Sequence, residues 1–169
     1  MIYREPLPGE AVTQGDIFDD CPVLCWDLAQ ASEDKAQPRA VTARARVVVL
    51  TQACDLAQAK ATRVLVAVVH RAQHLVERRI LTGQLIRDQI RLQRVYGWYF
   101  LPSAHGMDES LVDLRHLHTV PRVLLEQLIK EGKRVTSIAT PYREHMAQHF
   151  AVTYSRIGLP VPYETQAGS

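Results

Sequence analysis

What the chain lacks narrows its class. It has three cysteines in 169 residues, Cys21, Cys25 and Cys54, an odd count too small for a disulfide framework, so free thiols are expected. No run approaches the ~18 consecutive apolar residues of a membrane-spanning helix. The N-terminal MIYREPLPGE carries no apolar signal region, which predicts a cytoplasmic protein without membrane contact. Phosphate loops of the GxGxxG and P-loop kinds are absent, and nucleoside-triphosphate chemistry therefore has no support. No internal repeat or low-complexity tract is found.

What is present is an ordinary globular composition, 47% hydrophobic and 22% charged, in a length that suits one domain spanning 1–169. The net charge of +2 hides an asymmetry. Residues 1–40 carry eight acidic and three basic side chains, residues 41–169 ten acidic and seventeen basic. Sixteen of the twenty basic residues are arginine, whose planar fork binds phosphate oxygens in pairs. The six arginines between Arg71 and Arg94 make that segment the most basic. The small net charge is nonetheless far from the strongly basic footprint of a nucleic-acid binder, and an even spread of surface charge is the plain alternative.

The chain is organised around Val47–Leu56, VVVLTQACDL, and a second aliphatic run, Val64–Val69, ending at His70. Short unalternating apolar runs read as strands buried on both faces. Gly15–Phe18 and Val23–Leu28 read as two shorter strands, 29–39 as a surface loop, and Tyr96–Leu101 and Ser110–Leu114 as further strands. Ala72–Gln93 has helical spacing interrupted at Thr82-Gly83, giving one or two short helices. Pro121 and Gly132 bracket a helix of about ten residues. Arg134–Ile138 is extended, and a last helix follows Thr140-Pro141, with Tyr142, Met146, Phe150, Tyr154 and Ile157 on one stripe before Gly158 ends it. Strands first and helices later predict an α+β fold. We expect a small, strongly bent antiparallel sheet or SH3-like barrel over 15–115, and two C-terminal helices within a helical part spanning 116–160.

Four groups could carry chemistry. Cys54 and Asp55 follow the central strand, and a thiol beside a carboxylate there is the foremost site candidate. A reactive thiolate needs a cation or histidine nearby, which His70, His116 or His118 would supply. The plain reading makes Cys54 a mostly buried small hydrophobe, with Asp55 accepting backbone hydrogen bonds in the next turn. Arg115 with His116 and His118 can hold a phosphate and move a proton, unless Asp113 and Arg115 simply pair. His145 and His149 have the i,i+4 spacing of metal ligands, but no HExxH glutamate accompanies them. Cys21-x3-Cys25 likewise has no matching second half, so neither a metal nor a cofactor is expected. The aromatic Trp98, Tyr99 and Phe100 read as packing rather than as a platform for bases.

The pattern Gly15-Asp16-Ile17, then Arg46–Thr51, then Val64–Val69 resembles the start of MazF/PemK-type toxins, which are small SH3-like barrels. The likeness covers roughly residues 14–70. It implies metal-independent RNA cleavage, with Arg46 and Thr51 on positions matching the family's Arg and its Ser/Thr. Val47 stands where the family usually has proline, and the family has no Cys-Asp after that strand. The whole chain resembles a set of uncharacterised bacterial proteins. These share a Thr/Ser-x-x-Cys-Asp-Leu signature, a Leu-Pro (Leu101-Pro102), a Val-Asp-Leu-Arg (Val112–Arg115) and an Arg-x-Gly-Leu-Pro (Arg156–Pro160). The functional expectation is an RNA-binding or RNA-cleaving barrel, a candidate endoribonuclease, drawing on Arg46, Thr51, Cys54, Asp55, His70, Arg115, His116 and His118. The alternative is a non-catalytic accessory module that binds a partner protein. Candidate partners are therefore single-stranded RNA, another protein and, as a homodimer, a second copy of the chain.

Overall fold

A computed structural model describes residues 1–27, 39–58, 61–104 and 106–155. Seven antiparallel strands form one sheet in the order β1-β7-β2-β3-β4-β6-β5. They are β1 (Tyr3–Arg4), β2 (Asp16–Asp27), β3 (Arg39–Val49), β4 (Arg63–Arg71), β5 (Trp98–Leu101), β6 (Ser110–Pro121) and β7 (Arg134–Ile138). The helices are α1 (Ala53–Ala57), α2 (Ala72–Glu77), α3 (Gly83–Leu85, continued by a π turn over Ile86–Ile90), α4 (Arg122–Lys130) and α5 (Tyr142–Tyr154).

The α+β class, the antiparallel sheet and the two C-terminal helices stand as expected; of the two sheet forms, the closed barrel does not. The sheet stays open, with β1 and β5 at its edges. It is nevertheless strongly bent. Three strand spacings separate β2 from β6, about 14 Å in a flat sheet. Yet Cys25 on β2 lies within 4.8 Å, donor atom to donor atom, of His116 and His118 on β6. Register shifts go with the curvature: in β2 between Phe18 and Cys21 against β3 and between Ile17 and Phe18 against β7, and in β6 opposite Ala67 and Val68.

The apolar runs at the centre explain why helices cover both faces. Val47 and Val49 pack with Leu56, Val64, Val66, Leu125 and Leu128 on one face. Val48 and Leu50 pack with Tyr3, Ala67, Tyr99, Val112 and Met146 on the other. A third cluster joins Ala72, Leu75, Ile86 and Ile90 to Trp98 and Leu111, seating α2 and the π turn beside β5 and β6. Thr82 breaks the helical segment by capping α3, its hydroxyl accepting the Leu85 amide at 3.1 Å. Pro121 caps α4, and Gly132 follows it at φ +70°.

Three sequence expectations change in detail. The strands expected at Gly15–Phe18 and Val23–Leu28 are not separate: Asp16–Phe18 and Val23–Asp27 both lie in β2, because Asp19 and Asp20 form a bulge, Asp20 at φ +54°, rather than a turn. The boundary at 115 falls inside β6, and β7, from the part expected to be helical, inserts between β1 and β2. The stripe on α5 centres on Met146, His149 and Phe150, while Tyr142 and Tyr154 are exposed. Of the loop expected at 29–39, Arg39 instead begins β3 and residues 29–38 lie outside the described residues, as do Ile157 and the Arg156–Pro160 motif.

Asp16 of the Gly15-Asp16-Ile17 pattern ties the N-terminal strands to β7. Fully buried, it accepts hydrogen bonds from the Ser137 hydroxyl, the Thr13 amide at 3.0 Å and Arg134 Nη1 at 3.2 Å. Burial outweighs these bonds and raises its pKa. Gly15, at φ +85°, passes so close to β7 that a Cβ there would lie 3.2 Å from the Ile138 backbone oxygen.

Candidate functional site

A cleft of about 800 Å³ is lined by residues of β2, β3, β4, α2, β5 and β6. Five arginines (Arg44, Arg46, Arg71, Arg78 and Arg115) line it with His70, His74 and His116, against Asp19, Asp20 and Asp113. The cleft thus has two more cations than anions before any histidine is protonated, a local basicity that the net charge conceals.

Strand pairing and one irregularity assemble its inner wall. His70 lies opposite Leu111 near the end of β4. Between Asp113 and Leu117, β6 gains extra residues, and this bulge brings His116 back over His70. Their rings stack with centroids 6.2 Å apart and planes at 29°. Arg115 lies over Trp98, its guanidinium carbon 5.2 Å from the ring centroid and its Nε 3.4 Å from Asp113. Gly97, at φ +86°, makes room for it, since a Cβ there would lie 3.0 Å from Arg115 Cδ and Nε. Burial lowers the His70 pKa; Asp113 opposes this, and His116 and Arg78 reinforce it.

Of the sequence candidates, His70, Arg115, His116 and His118 meet in space. His118 neighbours His116, ring centroids 5.0 Å apart, and faces Cys25 rather than the cleft. Burial lowers the His118 pKa, and His116 adds to the effect. Arg46 lines the cleft but is gripped by Asp19, with Nε to Oδ1 at 2.5 Å and Nη2 to Oδ2 at 2.9 Å.

Thr51, Cys54 and Asp55 do not line the cleft. The Thr51 hydroxyl accepts the Leu65 amide at 2.7 Å, closing the passage from β3 to β4. Cys54 is exposed, not buried as expected. The chain turns at once into the single helical turn of α1, which inserts Leu56 and leaves Cys54 and Asp55 in solvent. The Cys54 sulfur faces the Gln52 side-chain oxygen at 3.6 Å and an Asp55 carboxylate oxygen at 3.9 Å.

No protein-family model matches the chain, and no curated protein matches it either. The site is therefore read from its own chemistry.

His145 and His149, the pair with metal-ligand spacing, are engaged otherwise. His145 Nδ1 is 3.2 Å from the Tyr99 hydroxyl, and His149 stacks on Tyr96 at 5.8 Å. Among the described residues no third Cys, His, Asp or Glu joins them. Sequence reasoning missed the importance of Asp113, Arg78 and Cys25. Asp113 was visible only as the partner of Arg115. The Cys21-x3-Cys25 spacing paired Cys25 with the wrong partner, because Cys25 meets His116 and His118 of β6 only where the sheet bends.

Proposed function

We propose that the cleft binds single-stranded RNA and cleaves it as an endoribonuclease that needs no metal ion. The observation that carries this reading is the stacked pair of His70 and His116 beside Arg115 in a cleft with excess arginine. Arg115 and Arg78 hold the phosphate oxygens; Arg78 has no ion-pair partner among the described residues. His70, kept neutral by burial, takes the proton from the ribose 2′-hydroxyl, whose oxygen attacks phosphorus. Protonated His116 gives its proton to the departing 5′-oxygen. The products are a 2′,3′-cyclic phosphate and a 5′-hydroxyl end, and two imidazoles suffice for both transfers. The strand resemblance to MazF/PemK-type toxins over 14–70 supports RNA as the polyanion. The roles move from Arg46 and Thr51 to Arg115 and the histidines, because Asp19 occupies Arg46 and the Leu65 amide occupies the Thr51 hydroxyl.

The test is cleavage of single-stranded RNA in EDTA by the wild type beside His70→Ala, His116→Ala and Arg115→Ala. Cleavage that each substitution abolishes supports the reading, as does growth arrest on expression relieved by the same substitutions. Absence of both cleavage and RNA retention at low salt would remove it.

One observation favours the second reading, a non-catalytic module that docks a partner protein. Leu24 and Trp26 share one face of the β2–β3 arm and are 71% and 68% exposed. A stable complex on co-purification, lost in Leu24→Ser with Trp26→Ser, would support it.

A further inference from the structure

Beside the cleft, the bend of the sheet assembles a donor set of which the RNA reading uses only His116 and which no single sequence motif contains. The sulfur of Cys25 on β2 and ring nitrogens of His116 and His118 on β6 all lie within 4.8 Å of one another. We propose that these three side chains bind a divalent transition ion of the zinc class.

Geometry and chemistry agree on this. Zinc bonds of about 2.0–2.1 Å to nitrogen and 2.3 Å to sulfur put tetrahedral ligands about 3.4–3.6 Å apart. Small rotations of side chains already within 4.8 Å reach that spacing. One thiolate and two imidazoles suit zinc or cobalt and are poor ligands for magnesium or calcium, which take oxygen. Among the described residues His118 Nε2 is buried without a hydrogen-bond partner, a costly state that coordination through this nitrogen would relieve. A carboxylate often orients a metal-bound histidine from behind, and Asp113 and His70 lie within the same 4.8 Å of a His116 nitrogen. On binding, the Cys25 thiol releases its proton to solvent. Three protein ligands leave a fourth position for water. The ion would pin the β2–β3 arm across the sheet onto β6, linking strands that share no hydrogen bonds.

The donors carry this inference without any RNA. His116 serves in both proposals, so cleavage in EDTA tests the RNA reading, and metal binding in the absence of RNA tests this one. The full chain, without a histidine tag and stripped by chelator, is titrated with Co²⁺ and then with competing Zn²⁺. One equivalent of Co²⁺ should bind with tetrahedral d–d bands and a thiolate charge-transfer band, and Zn²⁺ should displace it. Cys25→Ser should remove the charge-transfer band, and His118→Ala should weaken binding by roughly tenfold or more. His116 is exposed, so His116→Ala keeps the fold even if the other variants do not, and it should weaken binding to the same degree. Melting curves in EDTA identify the variants that fold. Failure to bind either ion at micromolar concentration would overturn the proposal. So would binding that survives Cys25→Ser and His116→Ala but is lost in His149→Ala.

Discussion

Asp19 holds Arg46 in a two-pronged ion pair, and this pair keeps the most conspicuous arginine of the central strand from acting as a free phosphate ligand. Arg46 also reaches the Met107 sulfur at 3.4 Å, so its position is fixed from two sides. Arg46→Ala should therefore cost about 1 kcal/mol of stability, the upper range for a partly exposed pair. It should leave the salt dependence of RNA binding nearly unchanged. Arg115→Ala should instead flatten the slope of log K against log salt by about one unit. Filter binding at a series of salt concentrations compares the two, and equal slopes would mean that Arg46 leaves Asp19 to grip RNA.

Arg115 depends on a residue with no side chain. Gly97→Ala would place a methyl group against Arg115 Cδ and Nε at a backbone conformation that favours glycine. The strain should lower stability by about 1–2 kcal/mol. The displaced guanidinium should lose its place over Trp98, so RNA affinity should fall about as far as in Arg115→Ala. Unchanged tryptophan fluorescence and unchanged affinity would show that Arg115 does not need this space.

Glu10 offers a pH test away from the cleft. Its hydrogen bonds to Arg4 are the largest of the effects that lower its pKa to about 2, and the Leu7 amide adds to them. A depressed carboxylate contributes stability above its unfolded value, near 4.3, and loses that contribution as pH falls through about 2. The pair is about one-third exposed, so its contribution at pH 7 should not exceed about 1 kcal/mol. Wild type and Glu10→Gln should differ by that much in urea unfolding at pH 7 and converge toward pH 2. A difference that grows on acidification would have the wrong sign.

The two cysteines at the extremes of burial should react at very different rates. Cys21 is fully buried, and burial pushes its thiol pKa up to about 11. Cys54 is exposed. A bulky maleimide should label Cys54 in the native protein within the first minutes and Cys21 only after denaturation. Peptide mapping of the labelled protein checks this, and native labelling at Cys21 would contradict its burial.

Local order was legible in the chain where the physics is local. Val47–Leu50 and Val64–Val69 are apolar without alternation, so they must be buried on both faces, and they became β3 and β4 at the centre of the sheet. Pro121 and Gly132 mark the ends of α4 because one cannot donate at a helix start and the other accepts a left-handed turn. The α+β class followed from that order of elements. Tertiary structure decided what the sequence left open. An open or closed sheet depends on which strands find each other, and β7 pairs with β1 and β2 across most of the chain. The direction of Cys54 depended on whether the chain stayed extended or turned helical after Gln52, and a single buried Leu56 settled it. The stacking of His70 on His116, and the approach of Cys25 to His116 and His118, arise from a bulge in β6 and the curvature of the sheet. Both are sums of backbone twist over several strands, which no spacing within one segment encodes.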